Sequence, residues 1–149
     1  MACVPIVCTD WPVAIVEWPT EASANDLKLH FDELSRILTA RPGRVAFVVD
    51  ATRATGLGVM LRAEAASGIR GILARHGSRF AGVAYAVTKP VARGIITAIH
   101  WIAGAPFPVL IAGSREEALA WARERVGARG TGTKTLLERP RSVRRNVRT

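Results

Sequence analysis

Short apolar runs alternate with helix-length amphipathic stretches along this chain, and that alternation constrains the fold more than any other feature. Five runs rich in β-branched residues predict strands at residues 4–8, 13–18, 44–50, 82–88 and 107–112. After each of the last four runs, apolar residues recur at helical spacing. Strands that alternate with helices favour right-handed crossovers and a mostly parallel sheet. We therefore predict an α/β fold with a mixed, mostly parallel central sheet of about five strands, an N-terminal antiparallel hairpin and four flanking helices.

Local signals predict where the helices begin and which side of each helix is buried. Ser23 and Asp26 form a capping-box-like pair at the start of the first helix. Thr88 is the predicted cap of the third helix, and Pro90 is tolerated in the first turn of that helix. The predicted core stripe of that helix consists of Val91, Ile95, Ala98, Ile99 and Ile102.

The positive charge of the chain is concentrated at its C-terminal end. The 149 residues have a net charge of +9, and residues 129–149 alone hold seven basic side chains and one acidic side chain. We predict a folded domain over residues 1–128 and a disordered basic tail over residues 129–149. The tail has three interpretations: weak, nonspecific anion or nucleic-acid contact, binding to an acidic protein surface, or a terminus under little constraint.

Several kinds of site are not predicted. Cys3 and Cys8 are five positions apart, which places them on opposite faces of a strand and disfavours a mutual disulfide. His30, His76 and His100 lack the pair spacing of zinc ligands, so no metal is expected. No apolar stretch reaches the roughly 18 residues of a membrane-spanning helix, and no secretory signal is recognised. We predict no cofactor and expect a cytoplasmic location.

The segment Thr55-Gly56-Leu57-Gly58-Val59-Met60-Leu61 resembles the Ser-Gly-Leu-Gly-Val-x-Leu signature of STAS domains. This family includes anti-sigma-factor antagonists and the tails of sulphate transporters. The order of elements over residues 4–126 is similar too, and is closer to bacterial STAS/SEC14-like relatives. The resemblance implies a STAS-like fold. In the antagonists a partner kinase phosphorylates the residue that corresponds to Thr55, and phosphorylation blocks binding to that partner.

The turn around Thr55 is also a candidate anion site on physical grounds. It lies between a strand and the N-terminus of the second helix, where free N–H groups and the helix dipole favour negative charge. The turn after the next strand lies at the same edge of the sheet, where open α/β sheets bind ligands. The alternatives are an ordinary N-cap at Thr55 and a solvated loop rim. The candidate phosphorylation or anion-binding residues are Asp50, Arg53, Thr55, Gly56, Gly58, Thr88, Lys89 and Arg93.

The third helix also carries a candidate partner surface. Ile96 and Trp101 flank the predicted core stripe on opposite sides, so more than half of the circumference is apolar. Such a helix is either deeply buried or meets a partner, which includes a second copy of the chain. His100 lies opposite the predicted stripe without a carboxylate or cysteine at fixed spacing, so we predict a surface histidine beside Ile96 and Trp101.

These features favour a non-enzymatic function. No Gly-x-Ser-x-Gly elbow or other catalytic constellation is present in the sequence. The resemblance implies a regulatory or protein-interaction module of a bacterial cytoplasm, with a kinase-type or other regulatory partner and a phosphorylation switch at the Asp50–Gly58 turn. The alternative is a protein that binds a small anion or a lipid in the crevice at the strand C-terminal ends. Apolar lining of that crevice would favour the lipid, and cationic turns would favour the anion.

Overall fold

The structure is a computed structural model, and it describes residues 4–55, 59–104 and 106–127. Within these residues the strands are β1 (Ile6–Val7), β2 (Val13–Glu17), β3 (Val45–Asp50), β4 (Phe80–Ala86) and β5 (Val109–Ala112). The α-helices of the same residues are α1 (Ala24–Ala40), α2 (Val59–His76), α3 (Pro90–Ala103) and α4 (Arg115–Gly127). The predicted basic tail at residues 129–149 lies outside the described residues.

The strands form one sheet whose spatial order is the same as the chain order, from β1 to β5. Strand β1 pairs with β2 in an antiparallel hairpin, and each later neighbour pair is parallel. A helix connects each parallel pair, because a parallel neighbour needs a crossover that returns the chain to the same end of the sheet. The predicted α/β fold, with its N-terminal hairpin and four helices, is confirmed.

Helix α1 begins where its sequence predicts. The Ser23 hydroxyl accepts a hydrogen bond from the Asp26 backbone N–H at 3.1 Å, and the Asp26 carboxylate accepts from the Ser23 N–H at 2.9 Å. These two bonds form a capping box, which satisfies two of the N–H groups left free at a helix start. The box fixes the start of α1, and α1 then buries Leu27, Leu34 and Leu38.

The two faces of the sheet are covered by different layers. Helices α1, α2 and α3 cover one side, which we call the three-helix face, and α4 covers the other, the α4 face. Successive residues of a strand point to opposite faces. Phe47 therefore packs in the three-helix layer and its neighbour Val48 in the α4 layer.

Helix α4 lies close to the sheet because the side chains between them are small. Ala118 and Ala122 are fully buried against the alanines of the strands. Trp121 lies directly over Gly82 of β4, and a Cβ atom added at Gly82 would come within 2.7 Å of the indole ring. Glycine at this position is what permits the close approach.

The predicted core stripe of α3 is wrong at three of its five positions. Val91 and Ile102 are 70% and 58% exposed, and Ala98 is exposed as well. Almost every residue of α3 is apolar, so periodicity alone does not select the buried face. The face turned toward the protein consists of Ala92, Ile96, Ile99 and Ala103 at helical spacing.

Candidate functional site

A cavity of about 160 Å³ lies between the three-helix face of the sheet and helices α1, α2 and α3. We call it the three-helix cavity. Protein interiors are normally packed to the density of organic crystals, so a void of this size is unusual. The sheet contributes its floor, which consists of Val16, Phe47, Val49, Phe80, Val83 and Tyr85.

The helices form the remaining walls of the cavity. Each wall residue lies on the inward side of its helix, and Ala65 and Ala92 leave more room than a larger side chain would. Trp18, Ala51 and Ala54 line the end near the carboxyl ends of the strands. The helical wall consists of Leu27, His30, Phe31, Leu34, Ala65, Ile69, Ile72, Leu73, Ala92, Ile95, Ile96, Ile99 and His100.

The lining is apolar and rich in aromatic rings. Eight lining residues carry a ring, and none of the described lining residues is Lys, Arg, Asp or Glu. Rings contact one another along the wall: Phe80 stacks on Phe107 with centroids 5.0 Å apart, and Phe47 lies 5.2 Å from Phe80. Aromatic surfaces of this kind favour apolar or aromatic ligands.

Tyr85 and His100 form the one hydrogen-bonded side-chain pair among the described lining residues. The Tyr85 hydroxyl is bonded to Nε2 of His100, and the rings meet edge to face with centroids 5.2 Å apart. Burial lowers the pKa of His100 to about 4 and raises the pKa of Tyr85, so both side chains are neutral at pH 7. Tyr85 keeps part of its surface accessible although it lies deep in the protein, because it faces the cavity.

His100 is not a surface residue, so its assignment to a partner surface is wrong. Only 8% of it is exposed, and its imidazole is turned toward Tyr85 and Phe107. The error follows from the wrong core stripe of α3. The face of α3 that is buried is turned toward His100, relative to the face that the sequence predicts. The sequence contained a usable signal in Tyr85, since a tyrosine in a buried strand needs a hydrogen-bond partner.

His30 is a second buried histidine of the cavity wall, and the sequence analysis gave it no role beyond excluding zinc. It is 5% exposed and contacts Trp18 and Phe31 edge to face. Its Nδ1 has no hydrogen-bond partner among the described residues, and burial lowers its pKa to about 4. Its burial could have been predicted from the sequence, because His30 lies three residues after Leu27 and four before Leu34 on the buried stripe of α1.

The turn after β3 is the predicted anion site. At its start, Asp50 forms an ion pair with Arg115 on the α4 side of the sheet. Asp50 accepts hydrogen bonds from the backbone N–H and the hydroxyl of Thr52, at 3.1 and 2.7 Å. Arg115 Nη1 of α4 lies 3.1 Å from Asp50 and 3.4 Å from Glu17. Burial alone would raise the pKa of Asp50, but the hydrogen bonds from Thr52 and Arg115 outweigh it, and the pKa is lowered.

Thr55 is exposed, and it is bonded to the chain that precedes α1. Its backbone N–H and its hydroxyl both donate to the Thr20 carbonyl, each at 3.1 Å. The described part of helix α2 begins at Val59, four residues further on. Arg53 is exposed next to this turn. Gly56 and Gly58 of the candidate anion site lie outside the described residues.

The turn after β4 is exposed at the same edge of the sheet. Lys89, rather than Thr88, is the N-cap of α3, and both are exposed. Arg93 donates to the Ile111 carbonyl at 3.3 Å, beside β5. The structure therefore brings the described residues of the predicted site to one edge, but Asp50 is turned to α4 and Arg93 to β5. Their joint action on an anion stays a prediction.

Ile96 and Trp101 lie on different sides of α3. Ile96 is half-buried and lines the three-helix cavity, whereas Trp101 is 77% exposed. Only Trp101 of this pair is therefore available as a large contact residue on the outside. Val91 and Ile102 extend the exposed apolar surface of the helix.

Two further observations bear on the kind of site. Within the described part of the chain, no three His, Cys, Asp or Glu side chains lie close enough together to hold a metal ion. None of the helices in that part is both long enough and apolar enough to cross a membrane.

A comparison of the fold with known structures identifies its type. No protein-family model matches the chain, and no curated protein matches it. A similar crystal structure is that of an uncharacterised protein of the DUF3478 family with a SpoIIAA-like fold, from Shewanella loihica PV-4. The likeness covers 80% of this chain and 92% of that chain, with a TM-score of 0.58 and 16% sequence identity. This chain has a SpoIIAA-like fold.

The SpoIIAA-like fold confirms the STAS-like architecture that the segment from Thr55 to Leu61 and the order of elements imply. At 16% identity the likeness concerns the fold alone. A fold of this kind hosts different functions, so the function has to be argued from the side chains of the site. In this SpoIIAA-like chain the three-helix cavity is a second candidate site, beside the strand edge that the sequence predicts.

Proposed function

We propose that this chain binds a small, mostly apolar molecule in the three-helix cavity. The observation that carries the proposal is the cavity itself, which has a volume of about 160 Å³ and a lining without charged side chains among the described residues. Ligand sites are concave and mostly apolar, with a few polar groups that fix orientation. The Tyr85–His100 pair supplies such a group.

The cavity favours an apolar ligand over a small anion, the two ligands that the sequence leaves open. An anion without a counter-charge in an apolar site would lose its hydration without compensation. An apolar molecule would instead restore the contacts that the lining atoms of an empty void lack. The cationic residues at the strand edge, Arg53, Lys89 and Arg93, are exposed to solvent and do not line the cavity.

A filled cavity tests this proposal. Ala65 is 6% exposed and lines the cavity from α2, so Ala65→Leu places three additional carbon atoms in the space of the ligand. Ala63 lies on the exposed side of the same helix, and Ala63→Leu is the matched control. We expect toluene to raise the melting temperature of the wild type and of Ala63→Leu, but not that of Ala65→Leu.

The size of the expected stabilisation follows from linkage. Toluene at 100 times its dissociation constant stabilises the folded state by about 2.7 kcal/mol. Absence of any stabilisation of the wild type by toluene, cyclohexane or octanoic acid would contradict the proposal. Equal stabilisation of both leucine variants would place the bound molecule outside the three-helix cavity.

We propose a protein-interaction function as the second candidate, with the regulatory, cytoplasmic role that the STAS-like resemblance implies. The observation that favours it is the outer side of α3, where Trp101, Val91 and Ile102 are 77%, 70% and 58% exposed. Large exposed apolar side chains on one helix are typical of contact surfaces. The partner is another protein or a second copy of the chain.

Trp101→Glu tests the contact surface. Because Trp101 is exposed, the variant should fold with an unchanged melting temperature and lose the self-association that light scattering detects in the wild type. A wild type that stays monomeric at high concentration would contradict the homodimer version. Loss of the fold in Trp101→Glu would contradict the surface assignment.

The phosphorylation switch is tested separately at Thr55. A phosphate there adds close to two negative charges on an exposed turn next to Arg53. We expect Thr55→Glu to weaken binding to the partner protein and Thr55→Ala to leave it unchanged. Wild-type binding by both variants would contradict the switch.

A further inference from the structure

We propose that the ligand of the three-helix cavity is a neutral, single-ring aromatic molecule with a hydroxyl group, of the phenol type, and that the hydroxyl binds to the Tyr85–His100 pair. This inference rests on the proposed function, because it names the chemical class of the molecule that the cavity holds. Three properties of the cavity carry it: its volume, its ring-lined wall, and a hydrogen-bonded polar pair in a lining without charged side chains among the described residues.

The volume matches a ligand of roughly one ring. A cavity of about 150 Å³ lined by aliphatic and aromatic side chains in another protein accepts benzene. The three-helix cavity, at about 160 Å³, is of that size. A long acyl chain would extend well beyond it, whereas a benzene ring with one small substituent fills it.

The shape of the lining favours an aromatic ring over an aliphatic one. The walls present Trp18, Phe31, Phe47, Phe80 and Phe107, together with Tyr85 and the two buried histidines. Aromatic rings prefer edge-to-face and offset contacts with other rings, at centroid distances of about 4.5–7 Å. The lining rings already contact one another in this way, so a further ring continues the same pattern.

The polar pair selects a hydroxyl group. If the Tyr85 hydroxyl donates to Nε2 of His100, the Tyr85 oxygen can accept one more hydrogen bond; if Nε2–H donates, the Tyr85 O–H is free to donate. A ligand hydroxyl matches both arrangements, because it is a donor and an acceptor. Tyr85 is half-buried and lines the cavity, so we assign its oxygen as the contact atom.

The absence of charge in the described lining selects a neutral ligand. No Lys or Arg lines the cavity in the described part of the chain, and His100 is neutral at pH 7 because burial lowers its pKa to about 4. A benzoate would therefore be buried without a counter-charge, which is strongly unfavourable. A phenol, neutral below its pKa of about 10, has no such penalty.

Three fluorinated probes of nearly equal size test the inference by fluorine NMR titration: 4-fluorophenol, 4-fluorotoluene and 4-fluorobenzoate. Tyr85→Phe keeps the ring and removes the hydroxyl, so we expect 4-fluorotoluene to bind it as it binds the wild type. The affinity of 4-fluorophenol relative to 4-fluorotoluene should fall about tenfold in Tyr85→Phe, the usual contribution of one hydrogen bond. An unchanged ratio, or a tighter complex with 4-fluorobenzoate than with 4-fluorophenol, would overturn the inference.

A second measurement needs no variant and decides the question if Tyr85→Phe does not fold. In the wild type with nitrogen-labelled histidine, 4-fluorophenol should shift the His100 imidazole resonances and 4-fluorotoluene should leave them nearly unchanged. Equal shifts with both probes would overturn the inference. Failure of the wild type to bind either neutral probe would contradict the proposed function, whereas tight binding of 4-fluorotoluene without a Tyr85 effect would contradict only the phenol assignment.

Discussion

The two faces of the same sheet are built on opposite principles. On the α4 face, alanines and Gly82 let the helix approach until the Trp121 ring lies over β4, only 2.7 Å from where a Cβ atom of residue 82 would stand. On the three-helix face, large rings and branched side chains enclose about 160 Å³ of space. Small side chains on both the strands and α4 thus give the dense layer, whereas on the three-helix face large side chains surround space that Ala65 and Ala92 leave unfilled. The dense face supplies packing, and the hollow face holds the proposed site.

The largest expected difference between the faces is sensitivity to acid, because both buried histidines, His30 and His100, lie on the three-helix face. Burial lowers the pKa of each from 6.5 to about 4. Between these values the unfolded chain binds protons that the folded chain does not, so stability falls as the pH falls from 6.5 to 4. We expect each histidine to reduce the free energy of unfolding by about 3 kcal/mol over this range.

Urea unfolding at pH 7 and pH 4 measures this loss. His30→Phe keeps a ring against Trp18 and Phe31, and it should remove about half of the pH dependence. A wild type as stable at pH 4 as at pH 7 would show that these imidazoles are not buried in neutral form.

The next effect concerns the dense face. Gly82→Ala places a Cβ atom 2.7 Å from the Trp121 ring, which packs against the alanines of the dense layer. We expect a loss of about 2 kcal/mol in the free energy of unfolding, the usual cost of overpacking. Toluene affinity should stay at the wild-type value, since Gly82 does not line the cavity. A neutral effect on stability would mean that the α4 face is not densely packed.

A smaller effect is expected at Gly68, the corresponding glycine of the hollow face. A Cβ atom there would lie even closer to a ring, that of Phe31, but Phe31 lines the cavity and has space to move into. We expect Gly68→Ala to cost less than about 1 kcal/mol, because the ring shift is partly offset by the higher helix propensity of alanine. The displaced ring should lower toluene affinity. A larger stability loss than that of Gly82→Ala would contradict the comparison.

The smallest effect is expected at Gly71, which lies one turn from Gly68 on α2. A Cβ atom there meets nothing within 4 Å. Gly71→Ala should therefore raise the free energy of unfolding by about 0.5 kcal/mol, through the lower entropy of the unfolded chain. It serves as the control for helix propensity in the Gly68 experiment, and thermal unfolding of the two variants side by side gives the contribution of Phe31.

The fold could be predicted because its signals are local and agree with one another. The Ser23–Asp26 pair fixes the start of α1 as predicted, and the β-branched runs became the strands of a mixed sheet. Strand–helix alternation then leaves few topologies, because parallel neighbours need crossovers of one hand.

The site could not be predicted in the same way, because a cavity depends on distances between elements. In α3 almost every residue is apolar, so the sequence did not show that Ala92 and Ile96 point inward and Val91 outward. That rotation also brings His100 to Tyr85, a contact between residues fifteen positions apart on different elements. The sequence directed attention to the turn at Thr55, where the structure shows an exposed residue bonded to Thr20.

We propose that the three-helix face, and not the α4 face, holds a small apolar molecule. Isoleucine methyl groups report on both faces: Ile15 packs in the α4 layer, and five isoleucines line the cavity, namely Ile69, Ile72, Ile95, Ile96 and Ile99. We predict that a toluene titration of the isoleucine-methyl-labelled protein shifts the methyl signals of these five residues, saturates, and leaves the Ile15 signal in place. Absence of shifts up to the solubility limit of toluene, or equal shifts at Ile15, would contradict the claim.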